Sequence, residues 1–422
     1  MRDSLLRTQA LLQGGTEVLY EAAFQHDGVL AYVDILVRDG YAWRAYEVKS
    51  STSLKEVHLP DAGVQAHILR GAGLLLADFS IIHLNNQYVR QGELDLEGLF
   101  TVVSVLPEVE SLQAEIRERI LELKGVLQDG RVPEIDIGPH CTDPYDCDFM
   151  GHCWAHIPEV SVFNVARLPK AQMFELYRQG VVRIEDIPAE FPLNDTSRFQ
   201  VESHTDGQPR IDRGAIRGFL RSLRYPLHFL DFETTSPAVP MFDGTRPYGQ
   251  VPFLYSLHRK NAPSSEVKHR GFLAEAGADP RRPLVESLLS DAGEPGDILV
   301  YSQSFEGTRI RELAEQLPEH RAELENLQPR LRDLMAPFRQ RHYYHPAMHG
   351  SYSLKAVLPA LVPELGYDDL AISDGGMAML AYYELQAEKD PHRAEQIRQN
   401  LWEYCERDTL AMVRILEALE AL

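Results

Sequence analysis

Residues 131–158 do most to limit what this chain can fold into. They turn to Pro, Gly, Asp, His and Cys, a loop composition that fits neither a helical nor a strand period. On either side lie stretches that alternate strand-like and helix-like patterns, so the chain has two cores to close rather than one. Its 422 residues agree, because single cores stop growing well below that length. With 44% hydrophobic and 25% charged residues the composition is that of a globular protein. No apolar run reaches the roughly 18 residues that a membrane span needs. The opening MRDSLLRTQALLQ has no apolar signal core ahead of a small-residue cleavage site. A cytoplasmic protein with no membrane partner is expected.

In the first part, 18–24, 29–37 and 43–48 carry β-branched and aromatic residues and are separated by Gly28 and the turn Asp39-Gly40, which predicts three strands. A helix is predicted at 58–69, a buried strand within 74–84, and one long amphipathic helix at 108–126. The divisions expected are an α/β domain over 1–130, a ligand-bearing loop over 131–160 and a helical connector over 161–210. The connector holds a helix at 170–179 stopped by Gly180, and a further turn at 184–187. A second α/β domain over 211–422 has a helix at 215–224, buried strands at 225–232 and 297–301, and a closing helix at 394–422.

The net charge of −21 argues against broad, passive adhesion to nucleic acid, which is held chiefly by Lys and Arg. Clustered carboxylates that hold divalent metals would contribute to that charge. Asp231 and Glu233 share one face of a strand end by the period of two. Tyr404 and Asp408 share one face of a helix at i and i+4. Together they offer the oxygen donors that Mg²⁺ or Mn²⁺ prefer, and two such ions could activate water and stabilise the leaving oxygen of a phosphodiester. Taken singly, each residue also fits an ordinary polar strand end or a half-buried helix position; the ordered set is what favours a site.

In order and spacing, Asp231-Phe-Glu233 and Tyr404-Cys-Glu-Arg-Asp408 resemble the first and last elements of the DnaQ-like DEDD exonucleases, of the RNase H-like superfamily. The middle element departs from the family's Asn-x-x-x-Asp: this chain has Ser302-Gln-Ser-Phe-Glu306, with Asp333 as fallback. The resemblance covers roughly 225–422 and implies an RNase H-like mixed sheet flanked by helices. It also implies metal binding by Asp231, Glu233, Glu306 and Asp408, a Tyr404 that orients the attacking water, and 3′ to 5′ polarity. A neutral Tyr, with a pKa of about 10, suits orienting better than proton abstraction. The aromatics of His342-Tyr343-Tyr344-His345-Pro346, with Tyr352 and Lys355, fit either base stacking and phosphate contact or core filling.

A second constellation lies in the first domain: Asp34, then Glu47 and Lys49 on one face of the next strand, then Gln65 on the following helix. Two carboxylates and a lysine can hold a metal and stabilise charge on phosphate, although a cross-strand ion pair is the commoner reason for Glu-x-Lys. The order resembles the RecB-like PD-(D/E)XK nucleases over about 18–84, implying a restriction-endonuclease-like core with catalytic Asp34, Glu47, Lys49 and Gln65, of which Asp34 and Glu47 bind metal. Leu69 stands where that family has Tyr. Its more upstream acidic or His residue has no clear counterpart, Glu21 lying on a strand, so the N-terminus reads as open to being incomplete.

Cys141, Cys147 and Cys153 fall within thirteen residues, which suggests metal binding rather than a disulfide framework. They resemble the late cysteine group of RecB-like nucleases that carry a 4Fe-4S cluster. Zn²⁺ completed by His140, His152 or His156 is the other reading, and three reduced thiols the plain one. The implied role is to pin the loop to the nuclease core. Cys405 reads as a buried helix thiol. The whole chain resembles bacterial fusions of a RecB-like nuclease with a DnaQ-like exonuclease domain, which implies a nuclease acting on nucleic acid, DNA favoured over RNA. The alternatives are a catalytically decayed binding or assembly protein and a nucleotidase or phosphatase.

Overall fold

The structure is a computed structural model describing residues 2–422. It is mixed α/β, with helices flanking two mixed sheets, as the sequence pattern implies. Among the described residues no helix is long and apolar enough to cross a membrane. Contacts group the chain into two compact units, one running to Asp136 and adding Pro237–Gly249, the other made of Ile137–Ser236 and Gln250–Leu422.

In the first unit, β1 (Val18–His26), β2 (Val29–Asp39), β3 (Ala42–Lys49), β4 (Leu76–Leu84) and β5 (Phe100–Ser104) lie side by side in chain order. The β1–β2 and β2–β3 pairs are antiparallel hairpins. The β3–β4 pair is parallel and needs a crossover, which the helix His58–Gly71 supplies. Val33, Leu36, Ala45, Ile68, Leu69, Phe79 and Ile81 close the core between sheet and helix with no exposed surface.

The predicted 108–126 helix is two helices, Leu106–Ser111 and Gln113–Asp129. At the junction the Gln113 side chain donates to the Val109 carbonyl at 2.9 Å, the acceptor an unbroken helix would offer to the Gln113 N–H. Pro237–Gly249 also differs from expectation, since the sequence places it with 211–422. Arg90 donates to the carbonyls of Pro240 and Met241 at 3.0 and 2.8 Å, and the Gly92 N–H donates to Asp243. Each joins a side chain to the backbone of a distant segment, a pairing that no local sequence period announces.

The second unit begins with the cysteine segment. Ile137, Cys141 and Phe174 form a small core with Trp154, Phe163 and Tyr177, so this segment packs on what the sequence reads as the connector. The helices Lys170–Arg178 and Asp195–Asp206 follow. β6 (Arg210–Ile211) pairs with β12 (Tyr343–Tyr344). The main sheet contains β7 (Leu227–Thr235), β8 (Val251–Lys260), β9 (Val267–Leu273), β10 (Ile298–Val300) and β11 (Leu331–Asp333), in the order β11-β10-β7-β8-β9. β7, β8 and β9 are an antiparallel meander; β10 and β11 run parallel to β7, which is central.

The helix Pro391–Glu420 covers one face of this sheet, held by buried polar contacts as well as apolar ones. Thr409, fully buried, meets Ser256 at 2.6 Å and His258 at 2.8 Å, and Lys260 pairs with Glu417 at 2.9 Å. Those partners explain why β8 can bury Ser256, His258 and Lys260, polar residues that hide it from a hydrophobic-run search.

Candidate active site

β7 is buried from Leu227 to Leu230, three apolar residues with His228 among them, then carries Asp231 and Glu233 at its end with Glu233 only 7% exposed. The helix Pro391–Glu420 lays Tyr404, Cys405 and Asp408 against that end, all buried. Cys405 Sγ donates to Asp231 Oδ2 at 3.8 Å, and ligand atoms of Asp231, Glu233 and Cys405 lie within 4.8 Å of one another. The thiol read as plain core filling therefore belongs to the site.

The middle carboxylate comes from the first turn of the helix Gln303–Gln316, whose N-cap Ser302 has φ +94°. Glu306 is 2% exposed and its Oε2 has no hydrogen-bond partner. Asp333 is differently engaged: it accepts from the backbone N–H groups of Ser302 and Met335 and pairs with Arg339 at 3.0 Å. It braces the turn that aims Glu306, and Glu306 is the carboxylate left free.

Electrostatics bind the group together. Burial first, and then the Asp408 charge, hold Asp231 well above the usual carboxylate range. Burial, Asp231 and Asp408 do the same for Glu233, and burial with Asp231 for Glu306. Asp408 rises to about 6, driven by burial and moderated by Tyr367, Lys355 and Tyr404. Tyr404 is pushed up by burial and then by the surrounding carboxylates, so it stays protonated. Carboxylates crowded this way favour a divalent cation, whose charge offsets what burial and repulsion cost. The donor set thus fits Mg²⁺ or Mn²⁺.

Two residues complete the surround. Tyr367 donates to Asp408 Oδ1 at 2.5 Å; nothing in its sequence neighbourhood marks it. Lys355, from the first turn of the helix Leu354–Leu361, stands 5.5 and 5.7 Å from the ring centres of Tyr367 and Tyr404. Tyr343 and Tyr344, in contrast, are 4% and 6% exposed and belong to the core around β12, so they are not base-stacking platforms.

The first unit brings Asp34, Glu47, Lys49 and Gln65 together from its inner strands β2 and β3 and the helix His58–Gly71. Asp34 accepts from the Val48 N–H at 2.7 Å; Glu47 accepts from Lys49 at 2.7 Å and from Gln65 at 2.7 Å. Asp61, which the sequence reading missed, takes a second bond from Lys49. Burial outweighs the lysine and glutamine bonds and raises the Glu47 pKa. Burial works to lower that of Lys49, but the bonds to Asp61 and Glu47 win and leave it raised. Beside Asp34 the β1–β2 ladder pairs Tyr20 with Ile35 and Ala22 with Val33, skipping exposed Glu21, which has φ +52°.

Leu69 is fully buried in this core. Leu69→Tyr should therefore lower stability by about 1–3 kcal/mol through overpacking, with a further cost for a hydroxyl lacking a partner. Thermal melts of the two proteins would measure it, and an unchanged midpoint would show that the core has room for the ring.

Cys141 is buried, Cys147 exposed and Cys153 half-buried; all are free thiols, and their sulfurs are not among the ligand groups that converge within 4.8 Å. His156 is bonded to the Tyr177 hydroxyl at 2.9 Å. As they stand these thiols do not converge closely enough to close on a single zinc ion.

Residues 228–353 match a family model described as a domain of unknown function, DUF2779. That stretch takes in Asp231, Glu233, Glu306 and Asp333 and ends before Lys355, Tyr404 and Asp408. No curated protein and no solved structure matches the chain.

Proposed function

We propose that this protein is a divalent-metal-dependent nuclease that hydrolyses nucleic-acid phosphodiesters, DNA favoured over RNA, with a 3′ to 5′ exonuclease-type site at Asp231, Glu233, Glu306 and Asp408. The observation that carries this reading is a group of four carboxylates from three elements, all raised above their ordinary range by burial, and Asp231, Glu233 and Glu306 further by neighbouring carboxylates. The strand order, with a three-stranded meander and two parallel strands on either side of β7's axis, supports the DnaQ-like resemblance. The Asp34, Glu47, Lys49 and Gln65 group is proposed as a second, RecB-like hydrolytic site.

Mg²⁺ or Mn²⁺ held by these carboxylates would neutralise charge on the scissile phosphate. Tyr404, kept neutral among them, orients the attacking water through its hydroxyl. Lys355 adds a cation that both Glu233 and Asp408 feel. The new bond forms between water oxygen and phosphorus, and the bond to the bridging 3′ oxygen breaks, that oxygen leaving with the electron pair and taking up a proton.

The test is degradation of end-labelled single- and double-stranded DNA and RNA with Mg²⁺, Mn²⁺ or EDTA. Shortening from the 3′ end that EDTA abolishes is the expected result. Phosphate release from mononucleotides with polymers intact would instead mark a nucleotidase. Binding of polymer with no turnover in either metal would favour a decayed site.

A further inference from the structure

The turn between β1 and β2 lies against the end of the His58–Gly71 helix. β1 ends at His26, and Asp27 and Gly28 form the turn with φ +49° and +73°, as a tight two-residue hairpin requires. His67 and Gly71 are four apart on the helix and share one face. The His26 ring rests directly on Gly71, where an added Cβ would stand 2.0 Å from the ring's Cγ and Cδ2. The missing side chain at Gly71 is what lets His26 approach His67. Their ring centres are 5.5 Å apart, and His26 Nε2 is 3.4 Å from Asp27 Oδ2.

One ligand atom from each of His26, Asp27 and His67 lies within 4.8 Å of the other two. Convergence alone could be a plain polar contact; His67 points further. The Gln113 amide nitrogen donates to the Gly63 and Val109 carbonyls at 3.1 and 2.9 Å, so its oxygen is the atom left to receive the His67 ring N–H. His67 Nε2 is buried and has no hydrogen-bond partner, on a residue 9% exposed. A metal-bound histidine is oriented in this way, through its second nitrogen.

We propose that His26, Asp27 and His67 form a transition-metal site of the Zn²⁺ class, separate from both carboxylate constellations. Two imidazoles and one carboxylate favour Zn²⁺ over Mg²⁺ and leave a fourth tetrahedral position to water. Its occupant pins the hairpin turn to the helix that carries Asp61 and Gln65, and so steadies the Glu47–Lys49 pair.

Equilibrium dialysis of the full chain against Zn²⁺, with excess Mg²⁺ to occupy oxygen-donor sites, reads the site directly. Wild type should hold one more equivalent than His26→Gln or His67→Gln, and Cys147→Ser should keep that equivalent. Gln113→Met leaves the ligands in place and should weaken this ion by about 10- to 100-fold. Equal stoichiometry and affinity in wild type and both histidine variants would overturn the proposal. If either histidine variant melts early in EDTA, Asp27→Asn decides, because Asn tolerates the left-handed turn and the position is exposed. Weaker Zn²⁺ binding there supports the site, and unchanged binding overturns it.

Discussion

Replacing both Asp231 and Asp408 by Asn should abolish trimming from the 3′ end, a loss of at least ~10³-fold, while making the metal-free protein more stable. The two effects have one cause. The crowded carboxylates that suit a divalent cation are a burden without it, and two neutral amides keep the shape while removing the repulsion. Folded-state pKa values raised above the unfolded ones mean that the folded chain binds more protons, so stability falls as pH rises. For Asp408 the fall begins near the ordinary carboxylate value and runs through about 6; for Asp231, Glu233 and Glu306 it continues higher. Metal-free wild type should therefore melt lower at pH 8 than at pH 5.5, and the double variant should lose less over that interval. At about 2–4 °C per kcal/mol the difference is several degrees. Added Mg²⁺ should return wild type toward the variant. Parallel melting curves at both pH values, together with undiminished degradation of a 3′-labelled strand, would remove the assignment.

The parts of this site that the sequence reveals are those whose spacing matches an element's period. Asp231 and Glu233 follow an apolar strand, and Tyr404 and Asp408 are one helical turn apart, so local pattern alone pairs them. Tyr367 escapes notice because it joins its site through tertiary packing from a segment with no period of its own, whereas Asp61 lies one helical turn before Gln65 and is within reach of the same i, i+4 argument. Cys405 is legible as buried but not as a neighbour of Asp231, since that contact depends on how the last helix is rotated over the sheet. β8 is hidden for the opposite reason: its buried Ser256, His258 and Lys260 look like surface until Thr409 and Glu417 supply partners. Tyr343 and Tyr344 mislead in turn, because an aromatic pair in a loop-like run reads equally as platform or core, and burial decides for core.

Lys49→Ala should separate the two proposed activities. Lys49 bridges Glu47 and Asp61, with side-chain exposures of 24%, 11% and 45%, so its removal strands a mostly buried Glu47 with Gln65 as its remaining side-chain donor. Asp61 can turn to solvent; Glu47 cannot, and its already raised pKa should climb further. The stability cost, discounted for the exposure of the lysine, is about 1–2 kcal/mol. If Lys49 stabilises charge on phosphate, the variant should lose the hydrolysis that persists in the Asp231→Asn, Asp408→Asn protein, by about 10²- to 10³-fold, while 3′ trimming by the intact second unit continues. Combining all three substitutions should leave no turnover. Lys49→Arg discriminates charge from geometry, since a planar guanidinium keeps the ion pair but not the compact ammonium. A Lys49→Arg protein that folds like wild type yet lacks the residual hydrolysis would mark a catalytic lysine. Full residual activity in Lys49→Ala, measured in the double-variant background, would reduce Glu47 and Lys49 to an ion pair within β3 that takes no part in hydrolysis.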